Sequence, residues 1–338
     1  MKKKSFIKRS TLPEASLCAK THAKVFRTAT FRSAAVFRSA AFCAAVFLLA
    51  GCGNDNESAT ADGNGSRVPL EVTGGISAQT RAADAAWAAS DAIGIYMLKS
   101  GTTDIAESAA NRRYTTAQGD GRFSADAGAS IYYPIDGSKV DFLAYYPHSA
   151  SGVADGKYAL DLSDQSHLPA IDLMSASVSG KDKSAPGVAF NFHHLLTKLE
   201  LVNTPGTGIT ASELKGMTVE ITGQRTAASY DILFEALDVA DATATLTLNT
   251  SADGKKSAAI LLPNTKTVVN PIVPGRQLVF TLKTGGEKFY WNIPDDKSFN
   301  AGEKNIYTIT INRSGLEVTS SITDWTSGNG TGETGSAQ

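Results

Sequence analysis

Cysteine is nearly absent from this 338-residue chain, which has three: Cys18, Cys43 and Cys52. Long apolar runs are absent too. The stretch of small and apolar residues from Ser39 to Gly51 is only about twelve residues long, whereas a hydrocarbon core needs about twenty. No Gly-x-Ser-x-Gly elbow frames a nucleophile, and no glycine-rich loop is followed by Lys-Ser/Thr and a helix. Histidine is scarce as well, and no Cys or His-x-His partner accompanies it. These gaps argue against a zinc site, a serine-hydrolase frame and a phosphate cradle.

What surrounds the short apolar run gives it meaning. Ten basic residues precede it, from Lys2 to Arg38, and the polar Gly53-Asn54-Asp55-Asn56-Glu57-Ser58 follows at once. That is the layout of a secretory signal. Leu49-Ala50-Gly51-Cys52 resembles the bacterial lipobox, which implies cleavage between Gly51 and Cys52 and acylation of the Cys52 thiol. The basic stretch is unusually long and repeats small units such as Val-Phe-Arg between Val25 and Arg38. A start site assigned too early explains it, and residues 1–38 carry no structural reading.

Removal of the signal changes the chain. It takes ten basic residues and one acid, so the remaining 287 residues keep 22 Lys+Arg against 32 Asp+Glu, a net charge near -10. Such a surface repels nucleic acid and anionic headgroups. Cys18 and Cys43 leave with the signal, so no intramolecular disulfide can form and stability has to come from packed cores.

Residues 52–67 are polar, lack hydrophobic period and read as a flexible tether. Beyond them come short strands separated by turn residues. Val68–Ile76 is expected as the first strand, with a bulge at Gly74-Gly75. Ala82–Ala92 reads as a helical turn or as a loop carrying Trp87 into Ile93–Leu98. Ser130–Pro134 and Val140–Pro147 look like core strands ended by proline. In Val188–Val202 the inward phase changes near His193-His194, which requires a bulge or bend. Pro205-Gly206-Thr207-Gly208 is the expected internal boundary, giving domains at 68–203 and 204–326 and a disordered tail at 327–338. Seven further runs, from Met217–Ile221 to Leu316–Ile322, predict a β-sandwich. The fold class is therefore all-β.

Chemistry is thin. His148, His167, His193 and His194 read as structural, because adjacent histidines in a strand face opposite ways. Asp161 with Asp172 is a weak acid pair. Asp295, Asp296 and Asn300 lack the fixed oxygen spacing of a calcium loop. Gly119-Asp120-Gly121 does not cradle phosphate. Tyr132, Tyr133, Tyr145, Tyr146 and Trp291 form either core or a glycan platform. Arg81, in Gln79-Thr80-Arg81-Ala82, is either an ordinary surface arginine or a bond open to a trypsin-like protease. No cofactor or metal is expected.

Together, Leu49–Cys52, Thr80-Arg81-Ala82, Trp87, Asp91–Tyr96, Val140–Pro147, Asp172-Leu173-Met174, Phe190–Leu199 and Ile322-Thr323-Asp324-Trp325 resemble the fimbrillin-like (Mfa-like) lipoproteins of Bacteroidetes, in the type V pilin superfamily. The resemblance implies two tandem transthyretin-like β-sandwiches, lipoprotein export to the outer membrane and assembly into surface fimbriae. It also implies a non-enzymatic structural or adhesive role, with a host or bacterial surface ligand as a further partner. In polymerising members an Arg-specific protease cuts behind the first strand, and a strand of the next subunit fills the groove. Arg81 and Ala82 match that bond, and Val68–Ile76 would be the strand lost. The donor is either the Gly-rich tail or Glu317–Ile322. If neither exchanges, the chain is an anchor or tip subunit or a stand-alone surface lipoprotein that binds glycan.

Overall fold

The computed structural model describes residues 67–77, 86–265, 271–324 and 333–336, with side chains up to residue 322. Gly51, Cys52, Arg81, Ala82 and Trp325 lie outside them. The described residues are all β apart from a 3-10 turn at Leu168–Ala170.

The first strands are β1 (Glu71–Ile76), β2 (Ala92–Lys99), β3 (Arg112–Thr115), β4 (Arg122–Ala125) and β5 (Val140–Tyr146). A small hairpin of β6 (Val153–Ala154) and β7 (Lys157–Asp161) follows, then β8 (Met174–Lys181) and β9 (Gly187–His194). Seven of these close into a barrel in the order β1-β4-β3-β2-β5-β8-β9 and back to β1. Closure leaves no unpaired barrel edge. Alternation puts Ile93, Ile95, Phe142, Val188, Phe190 and Phe192 inside.

β2 and β5 are buried on both faces. Their other face, with Tyr96, Leu98, Leu143 and Tyr145, packs on Tyr158 and Leu160 of β7 and on residues of the second half. Continuous apolar runs such as Ile93–Leu98 arise this way, since a strand covered on both sides has no solvent-facing phase.

The second half begins at β10 (Thr197–Pro205), followed by β11 (Thr218–Arg225), β12 (Ala227–Asp231), β13 (Ala236–Val239), β14 (Thr243–Thr247), β15 (Asn249–Thr250) and β16 (Lys256–Leu261). It ends with β17 (Gln277–Thr281), β18 (Lys288–Asn292), β19 (Glu303–Asn312), β20 (Gly315–Asp324) and β21 (Glu333–Ser336). The sheets β15-β16-β10-β19-β20-β21 and β14-β11-β17-β18 form a sandwich. Leu199, Leu201, Ile221, Leu261, Phe280, Trp291, Tyr307 and Ile309 fill it. All seven strands expected after Pro205 form, and within 327–338, expected as a disordered tail, β21 forms by pairing with β20.

Several expectations are corrected. No bulge forms at Gly74-Gly75: β1 runs parallel to β9 in unbroken register from Glu71 opposite Gly187 to Ile76 opposite Phe192. Ser130–Pro134 is not a strand but a bridge between Tyr132 and Pro69, because proline cannot extend the ladder as a donor. The bend near His193-His194 does form, at Leu195-Leu196. There the chain leaves the barrel, so Thr197–Pro205 pairs with β16 and β19 ahead of the boundary expected at 203/204.

A third sheet, β13-β12-β7-β6, went unread in the sequence and joins the halves by pairing β7 with β12. Gln165 joins them again. Its amide donates to Leu162 O at 2.6 Å and Ile260 O at 3.0 Å, and its oxygen accepts from Ile260 N at 2.8 Å. Replacing it takes this partner from one buried N–H and from two buried carbonyls, those of Leu162 and Ile260. Gln165→Leu is therefore expected to lower unfolding free energy by about 2–4 kcal/mol in urea titration, whereas an exposed substitution such as Asp164→Asn changes it little.

Candidate functional site

Two aspartates, histidines, tyrosines or glycines make a site only if the fold brings them together, and the fold separates most of the candidates. Asp161 caps its own turn at Ser163 N, while Asp172 pairs with His194 Nδ1 at 2.9 Å. His193 turns to the other face and meets Ser175 Oγ at 3.3 Å. Asp295 caps Gly275 N, and Asn300 donates to Glu303. Among the described residues no group of three His, Cys, Asp or Glu side chains is placed to hold a metal. The aromatic platform does not form either: Tyr133, Tyr145, Tyr146 and Trp291 are buried, leaving Tyr132 at 37 % exposure. Phe234, 69 % exposed at the tip of the β12–β13 hairpin, and Tyr290 are the exposed aromatics that sequence reading passed over.

What the fold does assemble is the seat of β1. One side of the strand follows β9 over its whole length; the other meets β4 only at Val72 opposite Phe123 and Thr73 opposite Arg122. Extra main-chain bonds hold its ends: Leu70 N to Ile131 O at 2.9 Å, Glu71 N to Pro186 O at 3.2 Å and Ser77 N to Phe192 O at 2.8 Å. Ser77 Oγ also donates to Asn191 Oδ1 at 2.6 Å. Leu70, Val72 and Gly74 point into the barrel, and Glu71 and Thr73 point out. Burying each large aliphatic side chain contributes roughly 1.5–3 kcal/mol.

Trp87, in the loop before β2, clamps the middle of this strand. Its Nε1–H donates to Gly74 O at 2.7 Å. Its ring sits edge-on to Phe123, Tyr146 and Phe192, with centroids 5.1, 5.3 and 5.2 Å away. Such contacts add to area burial. Tyr146 in turn donates to Asp91 Oδ1 at 3.1 Å, and its phenol pKa is raised by burial and then by that carboxylate. Tyr133, beneath β1, is pushed up to about 12, chiefly by burial. A cavity of about 370 Å³ below the end of β1 is lined by Ile76, Trp87, Asp91, Tyr146, Asp172 and Met174.

Gly119-Asp120-Gly121, dismissed as a phosphate loop, is the brace on the other side. Gly121 O accepts from Gly74 N at 2.8 Å. A Cβ on Gly121 would stand 2.5 Å from Gly74 O, and one on Gly119 would stand 2.4 Å from Trp87 O. Both residues have left-handed φ, +69° and +80°. The signal was present in the sequence as Gly-Asp-Gly, but nothing local says that a strand and an indole press against it. Arg81 and Ala82 follow this strand in the chain and lie outside the described residues.

The fimbrillin-like family pattern matches residues 80–325. A Bacteroides uniformis protein provisionally named fimbrium subunit Fim1C is 44% identical over 314 residues, covering 89% of this chain and 99% of that protein. The crystal structure of a provisionally named cell adhesion protein of Bacteroides uniformis superposes with a TM-score of 0.66 at 40% identity, over 77% of this chain and 99% of that one. One from Bacteroides ovatus has the same fold, with a TM-score of 0.62 at 21% identity over 78% of this chain and 100% of that one.

Gly121→Ala should loosen β1 without unfolding the barrel. The strained backbone and the 2.5 Å approach together cost about 1–3 kcal/mol. Hydrogen exchange at the Val72–Ile76 amides is expected to speed up while that of β5 stays unchanged; equal protection in both proteins would show that the turn does not brace the strand.

Proposed function

The chain belongs to the fimbrillin-like family, and on that premise we propose that it is a structural or adhesive subunit of a cell-surface fimbria, assembled by strand exchange. The precursor is exported as a lipoprotein through Cys52 and reaches the outer membrane. An Arg-specific protease then cuts between Arg81 and Ala82, and β1 leaves with everything before it, including the lipid. A strand from another fimbrial subunit takes its place. The lipid serves delivery, and the partner that matters afterwards is the next subunit.

One observation carries this reading. β1 precedes Arg81 in the chain, closes the barrel, and its partner β9 begins only at Gly187. Losing it would uncover Phe123, Phe190, Phe192 and Trp87 along a groove flanked by the open edges of β9 and β4. An apolar groove with free ladder groups is what an added strand satisfies: main-chain bonds give affinity and alternate side chains give register. The family pattern's match starts at residue 80, so β1 lies outside it, which agrees with a segment that is removed.

Digestion of the native protein with an Arg-specific protease is expected to cut after Arg81 and to yield oligomers that run as a ladder on unheated gels and collapse on heating. Arg81→Ala should abolish both. A resistant bond, or clean monomer after the cut, would sink the exchange. Mass spectrometry of the protein recovered from cells is expected to find acylated Cys52 in the precursor and a new N-terminus at Ala82 in the fimbria.

A further inference from the structure

One end of the second sandwich buries a cation that no anion matches. Arg276, at the entrance to β17, is 1 % exposed, and its guanidinium lies over the Phe299 ring at 5.1 Å. Nη1 donates to Asn264 Oδ1 at 3.0 Å, and Nη2 donates to Lys297 O at 2.6 Å and Pro294 O at 3.4 Å. All three acceptors are neutral carbonyl oxygens. The Asp295 carboxylate accepts from Gly275 N instead. Burial pulls the guanidinium pKa below its ordinary value, and the Nε–H has no acceptor among the described residues. A charge taken out of water is costly unless it is paired.

A bulge in β11 brings a second arginine to the same place. Ile221 stands opposite Leu246 and Gln224 opposite Ala244, so Thr222 and Gly223 share one partner position. Gly223 takes the left-handed conformation, with φ +65°, that a bulge of this kind favours. A Cβ there would stand 3.4 Å from Arg276 Cγ, which puts the bulge against the arginine stem. Gln224 follows, buried, with its amide donating to Thr222 O at 3.0 Å. Arg225 Nη1 then donates to Pro271 O at 2.8 Å, and its Nη2 stands 3.8 Å from the exposed Asp241. Its Nε–H, like that of Arg276, is buried without an acceptor among the described residues. Both arginines line a cavity of about 10 Å³, walled also by Leu262, Pro263 and Val273. That is room for one heavy atom.

We infer that this cavity is a binding site for a monatomic anion, chloride or another halide, held by the Nε–H groups of Arg225 and Arg276. Size excludes phosphate, sulfate and carboxylates, since the space takes a single atom. Charge favours an anion over water. Two guanidinium groups line the cavity, the Asn264 side-chain oxygen there is already engaged by Arg276, and Asp241 sits out in solvent. Hydrogen bonds from a cation to an anion are about twice as strong as those between neutral groups. The site also has a mechanical consequence. The β11–β17 ladder ends at Ile221 opposite Leu278, and the two arginines stand just beyond that end, one on each strand's continuation. An anion between them joins β11 to the turn before β17 where the main-chain pairing stops.

The test takes two readings on the full chain. In crystals grown from bromide, anomalous scattering is expected to place a halide within hydrogen-bond reach of both Nε atoms. In thermal unfolding at fixed ionic strength, exchanging gluconate for chloride is expected to raise Tm by about 2–5 °C, the effect of a ligand present at about ten to thirty times its dissociation constant. Arg225→Lys keeps a positive charge on the stem but has no Nε–H, and it should lose most of that rise. A rise of equal size in Arg225→Lys would be a general salt effect and overturns the site. An ordered water only, with no anomalous signal in the cavity, overturns it as well, and that reading does not depend on how the variant folds.

Discussion

The barrel closes only because a strand from the start of the chain lies parallel against β9, with Ser77 hydrogen-bonded to Asn191 across a sequence separation of 114 residues. Parallel neighbours cannot be joined by a hairpin, so this seam depends on side-chain packing and a ladder that ends at Ile76. The other seam, to β4, is only two residue pairs long. Trp87 makes the arrangement hold: a single indole bonds the strand's carbonyl and fills the space between rings from β4, β5 and β9. The strand is thus held along its whole length by β9 and by the indole, while its ladder to β4 stays short.

The two halves are less separate than two domains on a string. β2 and β5 have no solvent face because one side lines the barrel and the other packs on Tyr158, Tyr230 and Ile260. The β7–β12 ladder and the Gln165 clasp join the same region. The residues around β1 belong to the barrel core, and the second sandwich is built around a core of its own.

Period-two alternation made most of the fold legible. Tyr307–Ile311 and Val188–Phe192 became strands with the faces their spacing gives, and Val140–Tyr146, read as a core strand from its aromatics, is buried on both faces. The change of phase at His193-His194 marked the bend that forms at Leu195-Leu196, whereas the passage into the second sheet was expected only at Pro205 and comes before it. The β12–β13 hairpin was missed because Ala227–Val239 mixes small, polar and apolar residues without a clear phase, and its stability comes from packing against β7. The bulge at Gly74-Gly75 was misjudged for a related reason. Paired glycines mark a bulge or a close approach equally well, and only the tertiary neighbours, Phe123, Phe192 and Trp87, decide which. Gly119-Asp120-Gly121 was weighed only as a phosphate cradle, and its contact with β1 is non-local and lies beyond sequence reasoning. Arg81 and Cys52 rest on motif and position alone.

The sheet crossing at Leu195-Leu196 also determines how such a molecule would bear tension. β9 is the strand that any occupant of the groove lies against, and two residues later the same covalent segment becomes β10, the parallel neighbour of β19 in the second sheet. A pull applied through the groove would run along extended backbone from one body into the next. It would pass only the bend at Leu195-Leu196 on the way, and it would reach β19 and its hairpin partner β20. The groove side of the barrel and the closing hairpin would then lie on one mechanical line.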